Sequence, residues 1–295
     1  MANISAARVI TDQMETPYIY FLFHIPKCAG STIYHHLHQN IGGQGVLYLD
    51  KRHGVRRFLV KDRYELPLNG VDPDRVAFMI GHDLGRSAIR RFSGRELREI
   101  VLIRDPLNRY VSHYGQYFRT RMEAGNRSVA TFEEWYASQR PNYMTEFFLT
   151  RYLGIGELAV FAMPEQTQFD IMNESLKQFW YVAGHQYCDD LLTALSRGFG
   201  IPSIIQRQNV RPRNLTDVDE IPAVLRSRIV RENAVDQAIF DVWKDIGFVR
   251  QAEEVDAPCL SHNPLKHMPR KTSRLFAKVA LKASIGGNGR TSAQL

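Results

Sequence analysis

The sequence has 295 residues, of which 44% are hydrophobic and 23% are charged, a composition typical of a globular protein that can bury a sizeable core. Its formal net charge of +7 favours an anionic partner such as a nucleotide, an acidic glycan, a nucleic acid or an anionic membrane surface. The three cysteines form no CxxC pair, which argues against a disulfide framework and against a structural zinc site.

No apolar stretch approaches the roughly 20 residues that a membrane-spanning helix needs, and residues 1–17 lack the apolar run of a secretory signal. A low cysteine content without a pairing pattern also suits a reducing compartment. We therefore predict a cytoplasmic protein.

The first predicted element is a strand over residues 18–25. Its sequence, YIYFLFHI, is an almost continuous apolar and aromatic run, which is typical of a parallel strand buried on both faces. A short glycine-containing loop follows, and residues 31–39 then favour a helix. Strand, short loop and helix in this order are the usual opening of a nucleotide-binding βαβ unit.

The later elements continue the alternation of strands and helices. Residues 42–70 are mixed and basic, and we interpret them as loops and irregular helix. Strands are predicted at residues 75–80, 99–103 and 181–183, and helical segments at 106–118, 131–153, 189–197 and 224–243. This pattern predicts a three-layer α/β fold with a mostly parallel central sheet over residues 17–250, after an N-terminal extension at residues 1–16.

Residues 251–295 form a basic C-terminal tail that contains the stretch RKTSRLFAKVALKASIG. Four apolar residues of this stretch share a helical face: Leu275, Phe276, Val279 and Ala280. A surface helix or frayed tail is one interpretation, and a peripheral contact with an anionic membrane or with substrate is the other.

The segment HIPKCAGST, residues 24–32, spans the end of the first predicted strand and the start of the helix. A tight loop that enters a helix offers unpaired backbone N–H groups and the positive end of the helix dipole to a phosphate. Gly30 permits a close backbone approach, and Lys27 adds a mobile positive charge. Ser31 and Thr32 add hydroxyl donors. The usual phosphate-loop pattern GxxxxGK[ST] is absent, because the lysine here precedes the glycine.

The segment VLIRDPLNRYVSHYGQYF, residues 101–118, contains the end of another predicted strand and the helix after it. Arg104 stands at the carboxyl end of that strand, where a guanidinium can form a charge-assisted fork to phosphate. Pro106 occupies a first-turn position in which proline is tolerated, and Ser112 follows in the first turns of the helix. A serine in the first turns of the following helix can lie beside such a phosphate.

Together the two segments resemble the carbohydrate sulfotransferases typified by heparan sulfate 2-O-sulfotransferase, which use the donor 3'-phosphoadenosine-5'-phosphosulfate (PAPS). The first resembles the family's 5'-phosphosulfate loop, whose usual form is HIPKTAGT, and Cys28 replaces its common threonine. The second resembles the 3'-phosphate element, which implies that Arg104 and Ser112 hold the 3'-phosphate. The resemblance assigns the 5'-phosphosulfate to Lys27, Cys28, Ala29, Gly30, Ser31 and Thr32.

Weaker similarities extend this resemblance to about residue 246. GHD at residues 81–83 resembles the element that provides the family's catalytic base, which implies that role for His82. YVAG at residues 181–184 resembles a later strand. QNVRPRN at residues 208–214 resembles a basic loop that covers the nucleotide, which implies contacts from Arg211 and Arg213, and ENAVDQAIFDVW resembles the helix after it.

The resemblance implies a sulfotransferase on a fold similar to that of the P-loop nucleoside triphosphatases. The sulfuryl group of PAPS would pass to a hydroxyl of an acceptor, with a carbohydrate as the expected class. His82 would deprotonate that hydroxyl, and Lys27 would stabilise charge on the bridging oxygen of PAPS. We expect no metal, because lysine and loop amides supply the positive potential.

Two other functional classes stay open. A nucleotide-dependent kinase on a related fold would need a magnesium carboxylate and an ordinary phosphate loop, and neither is evident. A non-catalytic nucleic-acid-binding protein would use the +7 charge, but it would interleave aromatic and basic residues on one strand face or recognition helix. We therefore expect no nucleic-acid partner.

Several residues have a second interpretation. His82 can be a packed or capping histidine, and Asp105 can pair with Arg109 at helical spacing. Cys28 can be a small packed substitute for threonine, or a thiolate favoured by the helix N-terminus and Lys27.

Two further clusters also allow alternatives. An arginine-rich stretch either recognises an anionic acceptor such as an acidic polysaccharide or forms a structural helix, and its members are Arg86, Arg90, Arg91, Arg95 and Arg98. His35, His36 and His38 lack the accompanying ligands of a metal site.

Overall fold

A six-stranded, mostly parallel sheet forms the centre of the protein in the computed structural model, which describes residues 18–49, 56–58, 63–65, 72–82, 84–85, 95–126, 128–203 and 217–249. The strand order is β2-β5-β1-β6-β7-β8, and β3 and β4 form a separate antiparallel pair. The strands are β1 Tyr18–Phe23, β2 Val46–Tyr48, β3 Arg56–Phe58, β4 Arg63–Glu65, β5 Phe78–Gly81, β6 Glu96–Ile103, β7 Tyr181–Gly184 and β8 Gly247–Phe248.

Helices cover both faces of this sheet, so the predicted α/β class with a mostly parallel central sheet is confirmed. They are α1 Gly30–Ile41, α2 Pro106–Glu123, α3 Phe132–Tyr136, α4 Tyr143–Phe147, α5 Glu157–Phe161, α6 Glu165–Leu176, α7 Cys188–Phe199, α8 Ala223–Glu232 and α9 Ala234–Trp243. A π-helical turn, Phe148–Tyr152, continues α4. Within the described residues, no helix is both long enough and apolar enough to cross a bilayer.

The central strand is β1, which pairs in parallel with β5 on one side and with β6 on the other. Its residues from Ile19 to Phe23 are buried, as the unbroken apolar run predicts for a strand covered on both faces. The chain leaves β1 through α1 toward β2, whereas it leaves β6 through α2 toward β7 on the opposite side. Connections that diverge in this way open a crevice at the carboxyl ends of the strands, where ligands of open α/β sheets bind.

Three of the differences between the predicted segments and the structure concern residues 42–70, 75–80 and 224–243. Residues 42–70 were expected to lack strands, but they contain β2, β3 and β4, each of three residues. Strands this short carry little pattern of their own, and β2 depends on its pairing with β5. The strand predicted at residues 75–80 begins only at Phe78, because Pro73–Arg75 forms a 3-10 turn.

The third difference lies in residues 224–243, where the single predicted helix is divided at Asn233 into α8 and α9. Asn233 leaves helical geometry, with φ −111° and ψ 38°. Its amide side chain is buried, and its Oδ1 accepts from the backbone N–H of Asn142 at 2.7 Å and from the hydroxyl of Tyr110 at 3.0 Å. The break in the helix therefore coincides with contacts from the Asn233 side chain to residues that are distant in the sequence.

The amino ends of α4 and α9 cap each other. Asn142 Oδ1 accepts from the backbone N–H groups of Val235 and Asp236 at 3.0 and 3.2 Å. The Asp236 carboxylate in turn accepts from the N–H groups of Met144 and Thr145, each at 2.8 Å, and from the Thr145 hydroxyl at 2.7 Å. Burial raises the pKa of Asp236, while these hydrogen bonds act in the opposite direction. This reciprocal capping fixes α4 against α9.

We predict that Asp236→Ala lowers the free energy of unfolding by about 2–4 kcal/mol, because it removes three hydrogen bonds and leaves two buried N–H groups without an acceptor. Urea denaturation followed by circular dichroism measures the change. Asp241→Ala, at an exposed position of the same helix, is the control and should stay within about 0.5 kcal/mol of the wild type. Equal stability of the two variants would contradict this account of the cap.

Candidate functional site

The loop between β1 and α1 has an unusual backbone. Lys27 and Ala29 both adopt left-handed conformations, with φ of 73° and 66°. Few non-glycine residues do so, and such conformations concentrate at ligand-binding and catalytic sites. A hydrogen bond from the Cys28 N–H to the Ile25 carbonyl, at 3.2 Å, tightens the turn between them.

The amino end of α1 faces this loop without a side-chain cap. Among the described residues, the N–H groups of Gly30 and Ser31 have no carbonyl partner, whereas the Thr32 N–H donates to the Ala29 carbonyl at 3.0 Å. The α1 helix has 12 residues, so its dipole adds positive potential at this end. Unpaired amides and the dipole together favour an anion here.

The packing of the protein itself requires glycine at position 30, apart from the predicted approach of a ligand. A Cβ atom at this position would lie 2.2 Å from the imidazole ring of His24. The ring is buried against the backbone of the loop, and its pKa lies well below the usual value because of burial, with smaller contributions from His82 and Lys27. Only glycine fits between the helix start and this ring.

Cationic groups converge on Lys27. The Arg104 guanidinium donates to the Lys27 carbonyl at 3.1 Å, and Lys27 Nζ donates to Gln116 Oε1 at 3.3 Å. The pKa of Lys27 is lowered to about 8, first by burial and then by the charges of Arg119 and Arg104, with a smaller effect from Arg109. Such an accumulation of positive charge favours an anionic ligand.

One face of α2 lies beside the 24–32 loop. Gln116 contacts Lys27, and Ser112 lies one turn earlier on the same face. Asp105 caps this helix, because its carboxylate accepts from the N–H and the side-chain amide of Asn108, both at 2.8 Å. The Asp105–Arg109 pair considered from the spacing is therefore wrong, since Arg109 is fully buried and none of its guanidinium nitrogens has a hydrogen-bond partner among the described residues.

Two neutral histidines join the site, and sequence reasoning missed both. His113 follows Ser112 on α2, and burial with the charges of Arg109 and Lys27 lowers its pKa to about 4. His185 follows β7, and burial with the charge of Arg104 lowers its pKa to about 4. Within the part of the chain that the structure describes, Nδ1 of each ring is buried without a partner. The signal available for His185 was its position directly after the strand YVAG.

His82 follows β5, next to the loop, and its ring stacks on His24 with centroids 4.2 Å apart. Its Nδ1 lies 2.7 Å from the His24 carbonyl oxygen, which can only accept, so Nδ1 carries the hydrogen. Neutral His82 therefore has its lone pair on Nε2, and the Tyr48 hydroxyl donates to that atom at 2.8 Å. Sequence reasoning missed Tyr48, because only the pairing of β2 with β5 places it opposite Ile80.

The remaining predicted residues fall in different places. Arg211 and Arg213 lie outside the described residues. Arg98 lies within β6 at 9% exposure with its guanidinium 3.3 Å from the centre of the Tyr18 ring, and the Arg95 side chain donates to the Val76 carbonyl. Both precede Arg104 by most of the length of the strand, so neither forms part of a structural helix or lines this site.

The histidine cluster of α1 does not share one environment. His36 is buried, and its Nε2 lies 2.9 Å from the Ser196 hydroxyl, whereas His35 and His38 are exposed. Among the described residues, no group of three His, Cys, Asp or Glu side chains is arranged to hold a metal ion.

A shallow depression of about 270 Å³ opens on α2 next to Lys27. It is lined by His113, Gln116, Tyr117, Thr120 and Arg121. Aromatic, amide and cationic groups meet there, so this surface can contact part of a ligand whose anionic end lies at the loop.

Cys28 lies in the core at 1% exposure, and burial raises the pKa of its thiol to about 12. This supports the packed interpretation rather than the reactive thiolate. We predict that iodoacetamide alkylates native Cys28 at least tenfold more slowly than it alkylates the urea-denatured chain, because the nucleophile is the thiolate. Peptide mapping by mass spectrometry gives the rates, and rapid native labelling of Cys28 would overturn the prediction.

Comparison with known proteins gives no match to this chain, either among models of protein families or among curated proteins. The carboxyl ends of β5, β1, β6 and β7 bring His82, the 24–32 loop, Arg104 and His185 to one edge of the sheet. This edge combines free amides and several cations with a histidine whose Nε2 lone pair accepts a hydrogen bond, an arrangement suited to binding a phosphorylated ligand and moving a proton beside it.

Proposed function

We propose that the chain is a PAPS-dependent sulfotransferase that acts on a hydroxyl, with a carbohydrate as the expected acceptor, on a fold like that of the P-loop nucleoside triphosphatases. The observation that carries the proposal is the direct contact between Arg104 and the Lys27 carbonyl at 3.1 Å, beside an uncapped helix N-terminus. It joins the two segments on which the family resemblance rests, although 77 positions separate them in the sequence.

The loop and the two basic side chains suit the two ends of the donor. The N–H groups of Gly30 and Ser31, with the hydroxyls of Ser31 and Thr32, would hold the 5'-phosphosulfate. Arg104, which directly follows β6, and Ser112, which lies on α2, would hold the 3'-phosphate. The buried Cys28 contributes packing, since its N–H is already used within the turn.

PAPS would supply the sulfuryl group. In the proposed transfer, the acceptor oxygen forms the new S–O bond while the S–O bond to the 5'-phosphate breaks, and the acceptor proton ends on Nε2 of His82. Lys27 would stabilise the negative charge that appears on the phosphate oxygen. Because the Tyr48 hydroxyl donates to Nε2, the acceptor would either displace that hydroxyl or pass its proton through it.

The donor assignment predicts tighter binding of 3'-phosphoadenosine-5'-phosphate (PAP), the product nucleotide, than of ATP, with no requirement for magnesium. Arg104→Ala should weaken PAP binding about 10–100-fold, since it removes a charge-assisted contact. Isothermal titration calorimetry with and without magnesium measures both effects. Equal affinity for ATP, or dependence on magnesium, would favour the kinase class instead.

The same titrations should depend on pH through Lys27. Its pKa of about 8 means that its charge, and the affinity it provides, is present below that pH and lost as the pH rises through it. PAP binding should therefore weaken between pH 7 and pH 9, and Lys27→Met should remove most of that dependence.

The base assignment predicts that His82→Ala lowers kcat by a factor on the order of 100 or more while PAP affinity stays near that of the wild type. Tyr48→Phe should lower kcat less, because His82 keeps its Nδ1 hydrogen bond to the His24 carbonyl. Transfer of radiolabelled sulfate from PAPS to a panel of glycans, lipids and phenols identifies the acceptor and then gives kcat. Full turnover in the His82 variant would move the base elsewhere.

A further inference from the structure

Arg109 is a charged residue that is completely buried. Its exposure is 0%, and Nε and both terminal nitrogens lack hydrogen-bond partners among the described residues. The guanidinium lies between two aromatic rings, 4.2 Å from the centre of Tyr110 and 4.3 Å from that of Tyr143. Burying a charge without hydrogen bonds is costly, and cation–π contacts offset only part of that cost.

The charge of Arg109 acts on one buried acidic residue, Asp236. Burial raises the pKa of this carboxyl group, whereas its hydrogen bonds and, to a smaller extent, the charge of Arg109 lower it. No ion pair joins the two side chains in the described structure, because the carboxylate accepts from the N–H groups of Met144 and Thr145 and from the Thr145 hydroxyl. The Asp236 carboxylate therefore caps α4, and it interacts with the charge of Arg109 without forming an ion pair with it. Among the residues that the structure describes, no acidic side chain therefore forms a hydrogen bond with the Arg109 guanidinium.

Helical spacing places Arg109 on the face of α2 that carries Ser112 and Gln116, and Gln116 accepts a hydrogen bond from Lys27 of the 24–32 loop. The charge of Arg109 lowers the pKa values of Lys27 and His113, and it opposes the effect of burial on the Cys28 thiol. These three groups belong to the loop and to the α2 face beside it. A charge that disfavours protonation of its cationic neighbours must also favour an anion placed among them.

We propose that Arg109 is a buried counter-charge for the anion bound at the 24–32 loop, and therefore a positioning residue that strengthens nucleotide binding without touching the nucleotide. Identifying that anion as PAPS or PAP rests on the proposed function, whereas the need for an anion does not. The competing explanation is purely structural: Arg109 would only link Tyr110 of α2 to Tyr143 of α4.

The two explanations differ in what an uncharged side chain of similar size does. As a counter-charge, Arg109→Met weakens PAP binding roughly tenfold or more, because the field at the loop is lost in a medium of low polarisability. It also shifts the pH at which PAP affinity declines to a higher value, since a cation near Lys27 has been removed. Arg109→Lys keeps the charge and should bind PAP within about threefold of the wild type.

Arg98→Met is the matched control. Arg98 is also buried, also stacks on a tyrosine ring and belongs to the same stretch of chain, but it lies toward the other end of β6. It should leave PAP affinity unchanged. Calorimetry gives the affinities, and thermal denaturation with and without PAP shows whether each free variant is folded and how far the ligand raises its Tm.

A folded Arg109→Met variant that binds PAP like the wild type, with an unshifted pH dependence, would overturn the inference. Should that variant not fold, Arg109→Gln, which is also uncharged, takes its place: a loss of PAP affinity of tenfold or more supports the counter-charge, and affinity near that of the wild type refutes it.

Failure of the proposed function would be seen separately, as wild-type protein that does not bind PAP. Inorganic pyrophosphate then tests Arg109 alone. A rise in Tm for the wild type that is smaller in Arg109→Met supports the inference, and equal rises, or none, refute it.

Discussion

The pairing of β1 with β5 on one side and with β6 on the other is the constraint on which the site depends. Parallel strands end at the same edge of a sheet, so the residues that follow β5, β1, β6 and β7 meet there although they are far apart in the sequence. The reversal of direction between the connections that follow β1 and β6 leaves a crevice between them. Arg104, directly after β6, donates to the Lys27 carbonyl, which ties the orientation of the loop to the neighbouring strand.

Positive charge is the main electrostatic property of this edge. Lys27, Arg104 and Arg109 lie close enough to affect one another or nearby histidines, and the pKa of Lys27 falls to about 8, first through burial and then through the charges of Arg119 and Arg104. Like charges gathered in a partly buried site raise the energy of the empty protein, and an anionic ligand relieves that energy on binding. His113 and His185, which stay neutral, add polar ring atoms without adding charge.

The position of His82, the proposed base, depends on packed rings. His24 fills the space beneath Gly30 and stacks on His82, and its carbonyl selects the tautomer of that ring. Tyr48 then meets the remaining nitrogen of His82. A single buried histidine therefore connects the 24–32 loop to His82, so that the proposed anion site and the proposed base share one support.

Local pattern in the sequence determined the strand β1, the loop that enters α1, the position of Arg104 at the end of a strand and the first-turn position of Pro106, because each follows from a few consecutive residues. Only the tertiary structure decided what happens over long range. It divided the predicted helix at Asn233, whose side chain accepts from the Asn142 N–H. It also brought Tyr48 to His82 through a three-residue strand, and it buried Arg109 between two rings instead of pairing it with Asp105. Helical spacing shows which residues are neighbours along one helix, but it does not show which face another helix will cover. The pKa values and hydrogen-bond partners of the site therefore follow from the packing.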